Sequence, residues 1–285
     1  MSDTGRARGW EAIVDLALAE DIGGGDVTSR VTVPTGARAR GAMLAKATGV
    51  VSGLEVAGSV FRRIDPTVRY ETRAGDGDRV EPGHPLAEVE GAARSLLAAE
   101  RVALNLLQRL SGVATLTAAY VDAVAGTGAR IVDTRKTTPG LRALEKAAVL
   151  HGGGRNHRFG LSDGVLIKDN HLAAVGGADR VTRAVQQARA NAPHPLRIEV
   201  EVTTLAEVEE AVAAGADIIL LDNMDAPAMR RAVEMIGGRA LVEASGGITL
   251  ATVRAVAETG VDLISVGALT HSAPALDISL DFDLR

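Results

Sequence analysis

Cysteine is absent from the 285-residue chain, so neither a disulfide framework nor a thiolate nucleophile is available to it. Aromatic residues make up only 2%. The core must therefore be assembled from Ala, Val, Leu and Ile, and recognition of nucleic acid by base stacking is disfavoured. Excess positive charge is missing too: Lys and Arg number 31 against 36 Asp and Glu, a formal net charge of −5. Such a molecule has no general attraction for a phosphate polymer, so any anion site must be a local basic cluster. No apolar run approaches the ~20 residues of a membrane helix. The polar stretch Met1–Trp10 lacks the apolar segment of a signal peptide. These absences predict a cytoplasmic protein that engages neither nucleic acid nor membrane.

What is present is a globular composition, 46% hydrophobic and 24% charged, long enough for one large domain or two ordinary ones. From Ile131 to Gly267 short apolar runs alternate with amphipathic stretches. Arg130–Thr134, Gly164–Lys168, Arg197–Val202, Asp217–Asp222, Ala240–Ala244 and Asp262–Val266 read as buried parallel strands. The last four begin 20 to 23 residues apart, the repeat of a strand–helix unit. Thr204–Ala214, Ala226–Ile236 and Leu250–Thr259 carry helical spacing, with Gly215 and Gly260 where helix ends are expected. This pattern predicts an α/β barrel short of the usual eight units. Upstream, Arg38–Val51 and Val68–Glu90 alternate, and Ala74–Gly91 looks like the hairpin of a lipoyl-type β module. Arg94–Ala125 reads as a long helical region broken near Ser111-Gly112. The tail Ile278–Arg285 is expected to pack back on the first domain.

In an α/β barrel the chemistry sits at the C-terminal strand ends. Arg135 and Lys136 follow the first strand, and Lys168 ends the second. Glu201 lies in the third, Asp222 ends the fourth, Ser245-Gly246-Gly247 follows the fifth and Gly267 the sixth. With His157 and Arg158 from the segment Gly152–Arg158, the early strand ends are cationic. Arg forks match carboxylates and phosphates, and Lys adds a point charge; a solvated basic face is the plain alternative. Glu201 and Asp222 could approach one Mg²⁺ together with substrate phosphates, or form salt bridges to the cations. Glu199 and Glu243 lie deeper, in supporting positions. The glycine turns after the last two strands suit an anion held by backbone N–H groups.

Taken together, these strings resemble the quinolinate phosphoribosyltransferase family over nearly the whole chain. They include Ala19–Thr28, Glu100–Asn105, Asp133–Thr137, Asn156–Arg158, Ile167–His171, Glu199–Val202, Leu221–Asn223, Ala244–Gly247 and Val266–Ser272. The resemblance implies an N-terminal α/β sandwich with a bridge helix over residues 1–112, rejoined by the tail 273–285. It also implies an incomplete (open) α/β barrel over residues 113–272, in a homodimer or higher homo-oligomer. Thr134, Arg135, His157, Arg158 and Lys168 would then hold quinolinate, with the partner subunit's Arg101 entering the same site. Lys136, Glu201, Asp222, Ser245, Gly246, Gly247, Gly267, Ala268 and His271 would bind phosphoribosyl pyrophosphate. Lys136, Lys168, Glu201 and Asp222 would act in catalysis, and Glu201 and Asp222 would hold Mg²⁺ directly or through water. Relatives usually carry an aromatic where this chain has Ala147. Two rivals are a Schiff-base barrel lyase using Lys168 and a same-fold paralogue associated with molybdenum transport.

Overall fold

The computed structural model describes residues 7–284. Most of the polar stretch Met1–Trp10, and Arg285 of the tail, lie outside them. The chain folds as two compact units: Met1–Ala118, Thr137–Gly153 and Ala268–Arg285 form the first, and Ala119–Lys136 and Gly154–Gly267 the second.

In the first unit, strands β1 (Arg38–Ala45), β2 (Gly49–Val50), β3 (Arg69–Thr72), β4 (Arg79–Val80) and β5 (Pro85–Ala92) make two antiparallel sheets. Strand β1 alternates open and buried positions because a pleated strand turns successive side chains to opposite faces. The tail strand Ile278–Leu284 pairs antiparallel with the free side of β1, as expected for a tail that packs back. The expected free hairpin over Ala74–Gly91 is different in detail. Strand β5 pairs with β3, while β4 pairs with β2. The turn between β3 and β4 is recruited elsewhere: the Asp76 carboxylate accepts the Gly53 and Leu54 N–H groups at 2.8 and 3.1 Å. That caps helix Leu54–Ile64, whose own N-cap is a glycine without a side chain.

The long helix runs unbroken from Ala93 to Ala123, correcting the break expected at Ser111-Gly112. Both residues are there for close packing. The Ser111 hydroxyl accepts the Ser52 N–H at 3.0 Å, and the bare Gly112 lets a returning chain segment press on the helix. A Cβ at Gly112 would stand 2.0 Å from the Pro274 carbonyl oxygen.

The second unit holds six strands in parallel: β6 (Arg130–Val132), β7 (Val165–Ile167), β8 (Ile198–Val202), β9 (Ile218–Asp222), β10 (Leu241–Ser245) and β11 (Leu263–Ser265). All six fall on the apolar runs read from sequence. Their order, β6-β11-β10-β9-β8-β7, brings the last strand back against the first. Strands β6 and β7 are not paired, so the barrel is open at that seam. There Arg155 bridges to Val132, its N–H donating to the Ile131 carbonyl at 2.9 Å and its carbonyl accepting the Asp133 N–H at 3.0 Å.

The connecting helices follow local rules. Helix Leu205–Ala214 starts on the Thr204 side-chain cap and ends at Gly215 with φ 79°, a conformation glycine adopts without strain. Helix Ala226–Ile236 starts on the Asp225 carboxylate and ends at Gly237. The helix expected over Leu250–Thr259 shortens to Val253–Ala257. Its first residues are held in a local turn in which the Thr252 hydroxyl accepts the Thr249 N–H at 3.0 Å. Among the described residues no helix is long and apolar enough to cross a membrane.

Gly112→Ala should lower stability by about 1–3 kcal/mol, the usual cost of forcing extra volume into a packed crossing. Urea unfolding followed by circular dichroism measures it, and an unchanged midpoint would show that the approach of Pro274 is not tight.

Candidate active site

The strand ends of the second unit gather its polar groups. Past β6 the chain carries Thr134, Arg135 and Lys136, with the Thr134 hydroxyl accepting the Lys136 N–H at 3.0 Å in a tight turn. At the open seam, backbone pairing with β6 delivers Asn156, His157 and Arg158 beside it. The buried Asp133 carboxylate accepts the His157 N–H at 2.8 Å. Half-buried Arg158 donates from its guanidinium to the Gly164 carbonyl at 3.2 Å. Burial, and next the like charge of Arg135, press the Arg158 guanidinium below its usual range. Two cations brought this close in a half-buried setting favour an anion that neutralises both.

Beneath them is an acidic floor. Glu199 on β8 and Glu243 on β10 are buried, at 4% and 1% exposure. The His157 Nε2 atom lies 3.2 Å from Glu199 and 3.6 Å from Glu243. One Glu199 oxygen and both Glu243 oxygens are buried without a hydrogen-bond partner. Burial, and then the neighbouring Glu199 charge, push the Glu243 carboxyl up to about 7. One ligand atom from each of the three residues lies within 4.8 Å of the others, a spacing that could suit a metal ion. The histidine tautomer argues otherwise. His157 Nδ1 accepts the Arg158 N–H at 2.7 Å, so the ring proton belongs on Nε2 and no lone pair there faces the glutamates.

On the rim, the Lys168 ammonium donates to Glu201 at 2.5 Å, which is the salt-bridge alternative considered for Glu201. Glu201 stands beside Leu220, and Leu220 beside Glu243, so the two glutamates share a face across β9. Asp222 ends β9 directly beside Ser245 at the end of β10.

The next residue, Asn223, has φ 54°, the one positive φ outside glycine among the described residues. Its N–H donates to the Ser245 carbonyl at 3.0 Å. A Cβ on Gly246 would meet the Asn223 Oδ1 at 2.3 Å, and Gly246 and Gly247 take φ values of 96° and 58°. Asn223 and Gly246 therefore lock the glycine turn to the strand end that carries Asp222.

The second unit thus collects Thr134, Arg135, Lys136, His157, Arg158, Lys168, Glu201, Asp222, Ser245, Gly246, Gly247 and Gly267. Arg101, Ala268 and His271 belong to the first unit, where Arg101 and His271 are exposed. His271 Nδ1 is 2.6 Å from the Ser272 hydroxyl. Sequence reasoning gave no individual role to Asp133 or Asn223 and left Glu243 in a general supporting position. An acid inside an apolar strand was the available signal for Glu243. Asparagine is tolerant of left-handed backbone, but its position alone does not announce that use.

Comparison with known proteins agrees with this arrangement. Family models for the C-terminal and N-terminal domains of quinolinate phosphoribosyl transferase match residues 113–281 and 26–111. A Nicotiana tabacum protein named quinolinate phosphoribosyltransferase [decarboxylating] 1b is 44% identical, over 96% of this chain and 82% of its own. A probable nicotinate-nucleotide pyrophosphorylase [carboxylating] of Synechocystis is 48% identical, over 92% of this chain and 89% of its own. The crystal structure of NadC from Streptococcus pyogenes superposes with a TM-score of 0.93 at 43% identity, covering 100% of both chains.

Gly246→Ala should strain the turn, lowering the urea midpoint, and weaken binding of inorganic pyrophosphate by the still-folded protein about tenfold, roughly 1.4 kcal/mol. Isothermal titration calorimetry reads this directly, and unchanged affinity would remove the turn from the anion site. A pH effect follows from Glu243. Its folded pKa, about 7, lies above the ordinary 4.5, so the native protein keeps a proton that the unfolded chain has released. That stabilisation is complete below about 4.5 and is lost as pH rises through about 7. Glu243→Gln should therefore gain Tm relative to the unsubstituted protein between pH 5 and pH 8 (roughly, the window spanned by that shift). Parallel Tm profiles for the two proteins would contradict it.

Proposed function

This chain belongs to the quinolinate phosphoribosyl transferase family, and we propose that the polar groups at its barrel strand ends divide that family's reaction between a diacid half and a sugar-phosphate half. The reaction transfers a phosphoribosyl group from phosphoribosyl pyrophosphate to quinolinate with decarboxylation, giving nicotinate mononucleotide, pyrophosphate and CO₂. The observation that carries the division is the backbone pairing of Arg155 with β6, which delivers His157 and Arg158 to the open seam beside Thr134, Arg135 and Lys136. A planar dicarboxylate answers two guanidinium forks better than a monoanion does.

In this reading Arg135, Arg158 and Lys168, with Thr134 beside them, hold quinolinate so that its ring nitrogen faces the sugar carbon, and His157 stands next to Arg158. Lys136, the turns Ser245-Gly246-Gly247 and Gly267-Ala268, and His271 take the phosphates. The C–O bond to pyrophosphate loosens, positive charge builds on the sugar carbon, and Glu201 and Asp222 stabilise that charge while Lys136 steadies the leaving oxygens. The pyridine nitrogen forms the new bond. The resulting pyridinium accepts the electron pair released when the adjacent carboxylate leaves as CO₂, and a solvent proton completes the ring. No protein nucleophile is required.

The hard oxygen donors of Glu201 and Asp222, on adjacent strands, suit Mg²⁺ shared with substrate phosphates. Bound there, directly or through water, it would neutralise charge on the departing pyrophosphate. Exposed Arg101 is assigned to a neighbouring protomer's site, which makes the active species a homodimer or larger. A cytoplasmic setting, suited to a cysteine-free chain, belongs to the same proposal.

The direct assay supplies quinolinate, phosphoribosyl pyrophosphate and Mg²⁺ and follows CO₂ and pyrophosphate, expected in equal amounts; pyrophosphate without CO₂ would contradict decarboxylation. Arg135→Ala should raise the KM for quinolinate by about 100-fold, some 2.7 kcal/mol, and that for phosphoribosyl pyrophosphate far less. Equal losses would remove the division into halves. Mixing inactive Arg101→Ala and Lys168→Ala proteins should restore activity if subunits share a site; none after verified exchange would place Arg101 elsewhere.

A further inference from the structure

Two hydrogen bonds and one close imidazole–carboxylate contact hold His157 and Arg158 at the rim. The His157 N–H is taken by buried Asp133 at 2.8 Å. The Arg158 N–H is taken by His157 Nδ1 at 2.7 Å. His157 Nε2, which the tautomer leaves protonated, points down to Glu199 at 3.2 Å with Glu243 at 3.6 Å. The imidazole thus has one nitrogen spent on the backbone of its neighbour and the other aimed into the acidic floor. Its side chain is only 14% exposed. A ring committed on both edges is poorly placed to donate to a substrate carboxylate, whose own negative charge the two glutamates would repel.

We propose that His157 is a positioning residue for Arg158, standing on Glu199 and Glu243 as a buried footing, and that quinolinate is gripped by Arg158 and not by the imidazole. The physical logic is mechanical and electrostatic together. The segment carrying Arg158 is a loop at an open seam, held to β6 through Arg155 and Asp133. A guanidinium on such a loop would swing away from Arg135, since like charges repel. The imidazole tie at the Arg158 amide removes that freedom. Glu199 below it supplies negative charge that favours the protonated Arg158 and offsets the crowding of the two cations, while Glu243 serves as a polar support for the ring. Glu199 and Glu243 themselves are kept apart from the substrate by the ring between them.

This proposal rests on the assignment of Arg158 to quinolinate, and steady-state kinetics of the full-length protein separates the two. Arg158→Ala alone tests the assignment: an unchanged KM for quinolinate would overturn the assignment itself. His157→Ala should raise that KM by about tenfold, with the KM for phosphoribosyl pyrophosphate within about twofold. In the Arg158→Ala background the same His157 change should cost less than about twofold further, because a residue acting through Arg158 has nothing left to position. Glu243→Gln, which keeps both a donor and an acceptor in the footing, should remain near the unsubstituted KM, while Glu243→Ala follows His157→Ala. Additive losses at His157 and Arg158 would make the imidazole a direct ligand and overturn the proposal. So would a Glu243→Ala protein with an unchanged quinolinate KM. If His157→Ala does not fold, the cycle of Glu243→Ala with Arg158→Ala gives the same decision.

Discussion

The cationic side of the site hangs on one stretch of backbone pairing at the barrel's open seam. Arg155 exchanges hydrogen bonds with Ile131 and Asp133, taking the place beside β6 that a neighbouring strand would hold in a closed barrel. Because Arg155 is fixed there, the next three residues must leave at the strand-end level, and His157 and Arg158 arrive beside Thr134, Arg135 and Lys136. A closed ring would have satisfied the edge of β6 with a regular strand and left no irregular segment to carry side chains inward. The opening is therefore part of how the site is made.

Charge is arranged in depth. The chain carries a net −5, yet the rim collects lysine and arginine and the floor collects buried glutamate. Each layer makes the other tolerable. Arg135 and Arg158 would repel without negative charge beneath them, and Glu199 and Glu243 would be costly to bury without a protonated ring nitrogen above and a raised carboxyl pKa on one of them. On the opposite side, the Asn223–Gly246 lock places a glycine turn against the carboxylate of Asp222. The two halves proposed for diacid and sugar phosphate thus use different devices: long charged side chains on one side, strained backbone on the other.

Some misreadings are as informative as the matches. Ser111-Gly112 looked like a helix break because small and flexible residues often end helices, yet the helix passes through. There the Ser111 hydroxyl and the bare Gly112 serve neighbouring segments, and only the folded chain reveals those neighbours. Similarly, Gly75-Asp76-Gly77-Asp78 read as a hairpin turn, but Asp76 caps a helix more than twenty residues upstream. Turn chemistry is local, whereas the partner of a turn's side chain need not be.

The amino-acid sequence by itself determined the six parallel strands, the two best-formed helices between them and the residue types at every strand end. Apolar periodicity and the caps at Thr204, Asp225 and Gly215 are properties of a few consecutive residues and survive without tertiary context. The tertiary structure alone decided how those strand ends are used. It paired Lys168 with Glu201, turned the His157 ring down to two glutamates more than forty residues away, and pushed Asn223 into a left-handed conformation against Gly246. Side-chain partners chosen across strands depend on register and on where the barrel opens, and neither is written in the spacing of any one segment.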